Sequence, residues 1–303
     1  TVIQELQKKH PDSSPAIDFS IQKGPIEEVD PVIFDSIDGI LIEKIAKDLG
    51  GSGGPTGTDA EIWKHILCSK QFKKKPALLC DAVAHLARRL CSQRIHPEAL
   101  RSYVAGRLIP LDKKPGVRPI GVGEVLRRLV GKAVMRTLKQ DIIANTAPIQ
   151  LCGGLQGGVE AAIHAVRRIF DDETTEAILL VDAENAFNAL NRNTALRNLQ
   201  YTCPELFTYI LNTYRQDADL FIPSYEESLL SQEGTTQGDT CALGWYALSL
   251  MPLLRQIQCE PVPLNEESDS QDDTNYSPAP EIYPKQVWYC LLYTSDAADD
   301  RVS

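Results

Sequence analysis

The chain has 303 residues with a formal net charge of −10 at pH 7, and 43% of its residues are hydrophobic while 24% are charged. This composition is ordinary for a globular protein with a buried core and excludes global disorder. The longest apolar run, about 241–254, is too short for a bilayer span, and no basic segment followed by an apolar stretch opens the chain, so we expect an intracellular protein, nuclear or cytoplasmic, that is neither secreted nor held in a membrane.

The cysteines and histidines show no metal-ligand spacing. The eight cysteines are scattered without a Cys-x-x-Cys pair, and the five histidines are isolated from one another. The pattern favours free thiols in a reducing compartment and argues against a zinc site.

The acidic average hides a basic block. Residues 63–139 contain 18 Lys or Arg and 4 Asp or Glu, whereas the rest of the chain is strongly acidic. A block of this size indicates a surface for polyphosphate, and the alternative is a set of solvated helix faces. The predicted nucleic-acid contacts on the helix at 124–140 are Arg127, Arg128, Lys132 and Arg136.

In chain order, residues 1–31 predict a poorly ordered lead-in, and a Gly-rich turn ends at Asp59, a candidate helix N-cap. Apolar stripes at helical spacing predict helices at about 32–49, 60 onward, 77–93, 124–140, 192–201, 205–216 and 241–257. A hairpin is predicted at 219–230 and a strand at 285–289. Between them, 256–284 has seven acids and no Lys or Arg, which indicates an exposed acidic insertion.

The first segment with chemical potential runs from Leu108 to Ile120. Two extended pieces flank a turn with Pro115 and Gly116, and such a hairpin can hold Lys113, Lys114 and Arg118 over a phosphate chain. An ordinary surface hairpin is the alternative.

The second segment is the apolar run 177–181, which ends in Asp182. It predicts a buried strand with a carboxylate at its end, and such a carboxylate suits Mg²⁺ together with substrate phosphates. Phe187 can return to the same pocket beneath a sugar ring. The alternative is a plain strand end followed by a helix cap.

The third segment is the loop 231–240. Gly238 permits close backbone approach, and Gln237 at a helix start can touch a flat ligand. A plain connecting loop is the alternative.

In this order and spacing, the three segments resemble the fingers and palm of a reverse transcriptase of the non-long-terminal-repeat retrotransposon type, over residues 32–289. Residues 54–57 are similar to that family's Gly-Pro-x-Gly motif, 118–120 to Arg-Pro-Ile, 182–187 to the first palm motif, and 237–239 to Gln-Gly-Asp-Pro. The chain has Thr240 where proline is usual.

The resemblance implies an RNA-directed DNA polymerase that adds dNTPs to a primer on an RNA or DNA template by two-metal chemistry with Mg²⁺, or Mn²⁺ in its place. It implies metal binding by Asp182 and the carbonyl of Ala183, and a sugar-excluding gate at Phe187. Arg118, with Lys113 as a weaker candidate, would bind the triphosphate, and Gln237 and Gly238 would contact the nucleotide.

The resemblance breaks after Tyr289. Where the family has Ala-Asp-Asp, this chain reads Cys290-Leu291-Leu292, and residues 290–303 resemble a translated sequencing adapter. We therefore expect a fragment without the second aspartate motif or the thumb, and no polymerase activity from this chain.

The expected fold is α/β (α+β): helix-rich fingers and palm with a small antiparallel palm sheet. Two other functions stay open. One is a catalytically inactive nucleic-acid-binding module that uses the basic block, and the other is a protein-interaction scaffold that uses the acidic insertion.

Overall fold

A computed structural model describes residues 2–16, 24–113, 116–175, 177–223, 225, 228–236, 238–259, 285 and 287–288. These residues form a helix-rich α/β fold with one small mixed sheet. The helices are α1 Val2–Lys8, α2 Gly39–Lys47, α3 Ala60–Cys68, α4 Lys75–Ser92, α5 Pro97–Val104, α6 Val125–Thr137, α7 Lys139–Thr146, α8 Gly158–Phe170, α9 Ala186–Ala189, α10 Arg192–Thr202, α11 Pro204–Tyr214 and α12 Ala242–Cys259. The strands are β1 Gly106–Asp112, β2 Val117–Gly123, β3 Ala218–Phe221 and β4 Ser228–Ser231.

The sheet has the order β2-β1-β3-β4. Strands β1 and β2 form the predicted hairpin with Leu111 opposite Arg118, and β3 and β4 form the second predicted hairpin. The two hairpins join through parallel pairing of β1 with β3 at Gly106 and Leu220. The expected antiparallel sheet is therefore mixed, because the helices between the hairpins return the chain in the direction of β1.

The main core lies between α4, α6, α11 and α12. Helix α6 presents Val125, Leu129 and Ala133 to it at four-residue spacing, as the sequence predicts, and Trp245 of α12 is fully buried. Burial of this continuous apolar stripe is the main force that orders these helices.

The lead-in prediction is wrong for residues 2–8. They form helix α1, and Leu6 is fully buried with Leu108, Val117 and Leu220 on one face of the sheet. The sequence gives only a weak signal for this helix because its apolar contact spans a single turn, from Ile3 to Leu6.

The predicted helix at 32–49 is two elements. A 3₁₀ turn covers Pro31–Ser36, and α2 starts at Gly39, where the Asp38 carboxylate accepts a hydrogen bond from the Leu41 N–H at 2.7 Å. The predicted cap at Asp59 is confirmed, since its carboxylate accepts from the Ile62 N–H at 2.9 Å. Likewise, the predicted helix at 124–140 ends at Thr137, and α7 follows it.

The apolar run before Asp182 is not a strand. Residues 177–183 are irregular, and Leu179 and Leu180 are 86% and 83% exposed. A strand requires a neighbour for its backbone N–H and C=O groups, and in the described part of the chain β1 to β4 pair only among themselves. Apolar composition alone therefore misled the prediction of a buried strand.

Near its C-terminal end the described part of the chain contacts the segments after α7 and α8. Trp288 makes an isolated parallel bridge with Gln150, and Lys285 forms an ion pair with Asp172 at 3.1 Å. Most of the predicted acidic insertion, the rest of the predicted strand and the tail lie outside the described residues.

Two other expectations can be compared with the structure. Cys68, Cys80, Cys91, Cys152, Cys203 and Cys241 are free thiols, as expected. Among the helices of the described residues, none has the length and apolarity needed to cross a membrane.

Candidate functional site

The loop from Gly234 to Thr240 is the centre of the candidate site because the other motif segments meet there. On one side, the Thr235 N–H donates to the Phe187 carbonyl at 2.6 Å, and the Gly234 N–H donates to the Leu190 carbonyl at 2.8 Å. Gly234 has φ +65°, and a Cβ on it would overlap the Phe187 carbonyl oxygen. Glycine is therefore required here by both conformation and space.

On its other side, the loop packs against strand β2. Gly238 has φ +106°, and a Cβ on it would lie 2.8 Å from the Gly121 carbonyl oxygen. The close backbone approach predicted for Gly238 is thus present, but it is made to β2. Gln237 lies outside the described residues.

The phosphate-binding candidates lie on the β1–β2 hairpin. Lys113 is exposed just after β1, where its N–H donates to the Gly116 carbonyl at 3.0 Å. Arg118 is half-buried on β2. Because strand residues alternate between faces, Arg118 lies on the opposite face from Val117, which packs against Leu6 of α1.

Arg127 does not lie on the surface, contrary to prediction. Its side chain is 5% exposed, pairs with Asp239 at 2.5 Å and donates to the Val104 carbonyl at 2.9 Å. Burial has the largest single effect and lowers the pKa of Arg127, but the Asp239 carboxylate and the neighbouring tyrosines together outweigh it, so the pKa is raised. The ion pair between Arg127 and Asp239 therefore holds the loop after Gly238 against α6.

Arg128 is also buried, at 7% exposure. It donates to the carbonyls of Gly50 and Ser52 at 3.0 and 2.6 Å. Beside it, the Glu124 carboxylate accepts from the N–H and hydroxyl of Thr56 at 2.8 and 2.9 Å. These bonds attach the Gly-rich loop to the start of α6, so neither Arg127 nor Arg128 is placed to contact nucleic acid.

The remaining two predicted contacts on α6 differ in exposure. Arg136 is exposed and Lys132 is half-buried. The expectation of an exposed basic face on α6 thus holds for Arg136 and in part for Lys132.

Phe187 is half-buried in a small apolar cluster. Its ring meets the ring of Tyr246 edge to face, with centroids 5.6 Å apart, and Ala186 and Cys152 belong to the same cluster. The backbone of Phe187 is thus bonded to the loop while its ring packs towards α12. No described contact tests its predicted role as a sugar gate.

Asp182 and Ala183 are exposed in the irregular segment before α9. Asp182 is therefore not at the end of a buried strand. Three residues later, Asn185 adopts φ +53° and donates to the Lys9 carbonyl at 2.9 Å, so the chain becomes fixed only after Asp182.

The described residues do not fit a two-metal centre. Among them, no group of three His, Cys, Asp or Glu side chains could hold a metal ion. A two-metal site needs several carboxylate oxygens around ions about 3.5–4 Å apart, and a single exposed Asp182 cannot supply them. The expected Mg²⁺ or Mn²⁺ chemistry therefore has no set of ligands in the described part of the chain.

Sequence reasoning missed Arg192, which organises the start of the loop. It is 4% exposed and donates to the carbonyls of Ser231, Glu233 and Gly234 at 3.0, 3.0 and 3.1 Å. Its burial lowers its pKa to about 10. An arginine at a helix start carries no signal in the sequence that it will be buried.

Sequence reasoning also missed the part played by the N-terminal segment. The N–H and hydroxyl of Ser14 donate to the Glu233 carboxylate at 2.6 and 2.9 Å, and Asn191 donates to the Pro15 carbonyl at 3.0 Å. Residues 9–15 therefore pass along the edge of the site next to Asn185 and Glu233.

The centre of this junction is packed rather than open. Its cavity, lined by Gly121, Arg127, Gly238 and Asp239 among others, has a volume of about 10 Å³. That is about the space of one water molecule, whereas ligand pockets measure about 300–1,000 Å³. Any nucleotide must therefore bind on the outside of the junction.

Neither a scan against protein-family models nor a search of the curated proteins found a match to this chain.

Proposed function

We propose that this chain is the fingers and an incomplete palm of an RNA-directed DNA polymerase of the non-long-terminal-repeat retrotransposon type. In this proposal the chain binds an RNA or DNA template with its primer, and binds dNTP weakly at most. It does not extend the primer by itself.

One observation carries the proposal: the segments that resemble the family's motifs are joined to one another. The loop of Gly234 and Gly238 is bonded to the Phe187 backbone and packed against Gly121, beside the Arg-Pro-Ile segment of β2. Because these segments lie far apart in the sequence, a chance similarity of short motifs gives no reason for them to meet.

The Gly-Pro-x-Gly segment joins the same arrangement. Thr56 is bonded to Glu124, and the neighbouring Arg127 is paired with Asp239. The Gly-Pro-x-Gly segment and the loop of Gly234 and Gly238 are thus linked through the start of α6, as expected if they serve one shared site.

In this proposal the chain has no polymerase activity because the carboxylates needed to bind two metal ions are not present together among the described residues. Phosphoryl transfer depends on positioning and on stabilisation of charge, which two bound ions supply. Since Asp182 is exposed and has no cluster of carboxylates beside it among the described residues, we assign no catalytic step to this chain.

Nucleic-acid binding tests the proposal first. A labelled DNA primer on an RNA template should bind the chain, and the affinity should fall steeply between about 50 and 200 mM salt. Absence of salt-sensitive binding would contradict the polymerase proposal and favour the interaction scaffold.

A catalytically inactive nucleic-acid-binding module is the second candidate. The exposed lysines described below favour it, because they could bind nucleic acid whether or not the protein is an enzyme. The two are separated by replacing the residues after Tyr289 with Ala-Asp-Asp and a downstream thumb. Primer extension by that chain favours the polymerase, and binding without extension favours the module.

A further inference from the structure

Five lysines lie close in the sequence to an exposed aromatic residue where α3 is joined to α4. We call this the basic–aromatic corner, and its members are Lys64, His65, Lys70, Phe72, Lys73, Lys74 and Lys75. Neither Asp nor Glu occurs anywhere from residue 62 to residue 80. The local field of this stretch is therefore positive, with Glu61 and Asp81 as the acids at its two ends.

The geometry holds the ring outward. A 3₁₀ turn at Lys70–Phe72 follows α3, and every residue from 70 to 75 is exposed. The Phe72 ring is 40% exposed, and the His65 ring meets it edge to face with centroids 5.4 Å apart and planes at 76°. The histidine thus supports the phenyl ring while leaving much of its surface open to solvent.

The lysines have no evident role in holding the fold together. Within the described ranges, the ion pair of this corner is Lys64 with Glu61 at 3.9 Å. Lys73, Lys74 and Lys75 stand at the N-terminus of the 18-residue helix α4, where positive charge opposes the helix dipole. Their placement is therefore electrostatically unfavourable for the protein alone and favourable for a bound polyanion.

We propose that the basic–aromatic corner binds single-stranded nucleic acid, with Phe72 stacking on a base and the lysines contacting the flanking phosphates. Sequence-independent binding of single strands combines these two features, a stacking ring and a positive path for the backbone. The inference rests on the proposed function and deepens it by assigning the unpaired template strand to this corner. It also replaces Arg127 and Arg128, which are buried, as the main contacts.

The charge alone would also fit an acidic peptide or an anionic lipid surface. Single-stranded nucleic acid is favoured because the lysines flank an exposed planar ring. A base has a π-face for that ring, whereas a carboxylate or a lipid headgroup has none.

The test is fluorescence anisotropy with a labelled 20-nucleotide single strand, as DNA and as RNA, and with the matching duplex. Phe72→Leu keeps an apolar side chain but removes the ring, and it should weaken single-strand binding by about 5-fold or more. Phe72→Tyr should retain binding. Phe221→Leu on β3 is the matched control, because Phe221 is similarly exposed, and it should have no effect.

The lysines are tested by salt dependence. Replacing Lys73, Lys74 and Lys75 together by Gln should reduce the slope of log affinity against log salt by about 2 for a single strand. The control removes the same charge elsewhere, with Lys8→Gln, Lys44→Gln and Lys139→Gln, and should change the slope less. Circular dichroism establishes that each variant is folded.

The outcomes separate the two proposals. If the unmodified chain binds no oligonucleotide at low salt, the proposed function fails together with this inference. If it binds but Phe72→Leu binds as tightly, or loses duplex and single strand equally, the inference alone is overturned. Binding of phosphatidylserine vesicles or poly-glutamate in a Phe72-dependent way, without oligonucleotide binding, would also overturn it.

Discussion

Gly234 sits where the candidate site allows no side chain. Its φ of +65° and its contact with the Phe187 carbonyl mean that Gly234→Ala must strain the backbone and displace the loop. We expect a loss of more than about 2 kcal/mol in the free energy of unfolding, measured by urea denaturation.

The matched control is Gly57→Ala. Gly57 has φ +74°, but nothing lies within 4 Å of an added Cβ, so the cost is the backbone strain of about 1 kcal/mol. Equal losses at both positions would mean that the contact between Gly234 and Phe187 contributes nothing.

Asp239 neutralises a buried arginine. Asp239→Asn leaves Arg127 charged and buried without its carboxylate, and we expect destabilisation of about 3–5 kcal/mol in thermal or urea unfolding. Asp219→Asn is the control: it removes the partner of Arg101, whose side chain is largely exposed, and should cost about 1 kcal/mol or less. Similar losses for both variants would contradict the structural role of the buried pair.

The position of a single side chain can be predicted from the sequence when its partner lies nearby in the chain, and not when the partner is distant. Asp59 was predictable as a cap because its partner, the Ile62 N–H, lies three residues away. Arg127 and Arg128 were not, because the groups that bury them come from distant loops, at Asp239 and at Gly50 to Ser52. A charged residue in the sequence therefore predicts a surface position only when no distant loop of the fold packs over its side chain.

At the scale of elements, the exposed run before Asp182 gives a direct test. Leu180→Asn should change the free energy of unfolding by no more than about 0.5 kcal/mol, because Leu180 is exposed. Leu108→Asn, at a fully buried position in β1, should cost several times more. A large loss at Leu180 would restore the buried strand that the sequence predicts.

Helix α1 gives the opposite test, of an element that the sequence did not predict. Leu6→Ala should destabilise the protein by about 2–5 kcal/mol, since Leu6 fills a buried site against Leu108 and Val117. Val2→Ala, at the exposed start of the same helix, should cost no more than about 0.5 kcal/mol. A negligible effect of Leu6→Ala in urea unfolding would mean that α1 does not stabilise the sheet.

Elements were predictable where their own pattern specifies them. Helices α4, α6 and α12 carry repeated apolar stripes, and both hairpins have turn residues between extended runs. Residues 177–181 have the composition of a strand, but a strand depends on a neighbour that local sequence cannot provide. The pairing of β1 with β3 was missed because it depends on contacts made across the molecule. Helix α8 was missed for another reason: Gly158 is its only buried residue, and its apolar residues, among them Val159, Ile163 and Val166, recur at helical spacing that the sequence prediction overlooked.

At the scale of the whole molecule, the negative net charge comes from the residues outside 63–139, whereas the basic block itself is positive. Four exposed lysines of the basic block, Lys70 and Lys73 to Lys75, lie at the basic–aromatic corner. Its other exposed basic residues, among them Arg89, Arg101 and Arg136, lie elsewhere, and two of its arginines are internal. Net charge therefore did not predict the candidate nucleic-acid surface, but the local balance of charge did identify the region that contains it.

The most direct test of the proposed function is primer extension on an RNA template, with Mg²⁺ or Mn²⁺ and dNTPs. Two chains are compared: the present one, and one in which Ala-Asp-Asp and a downstream thumb replace the residues after Tyr289. We predict that both bind the primer–template, that only the second extends the primer, and that Asp182→Asn abolishes this extension. Extension by the present chain that is lost with Asp182→Asn, or binding by neither chain, would contradict the account.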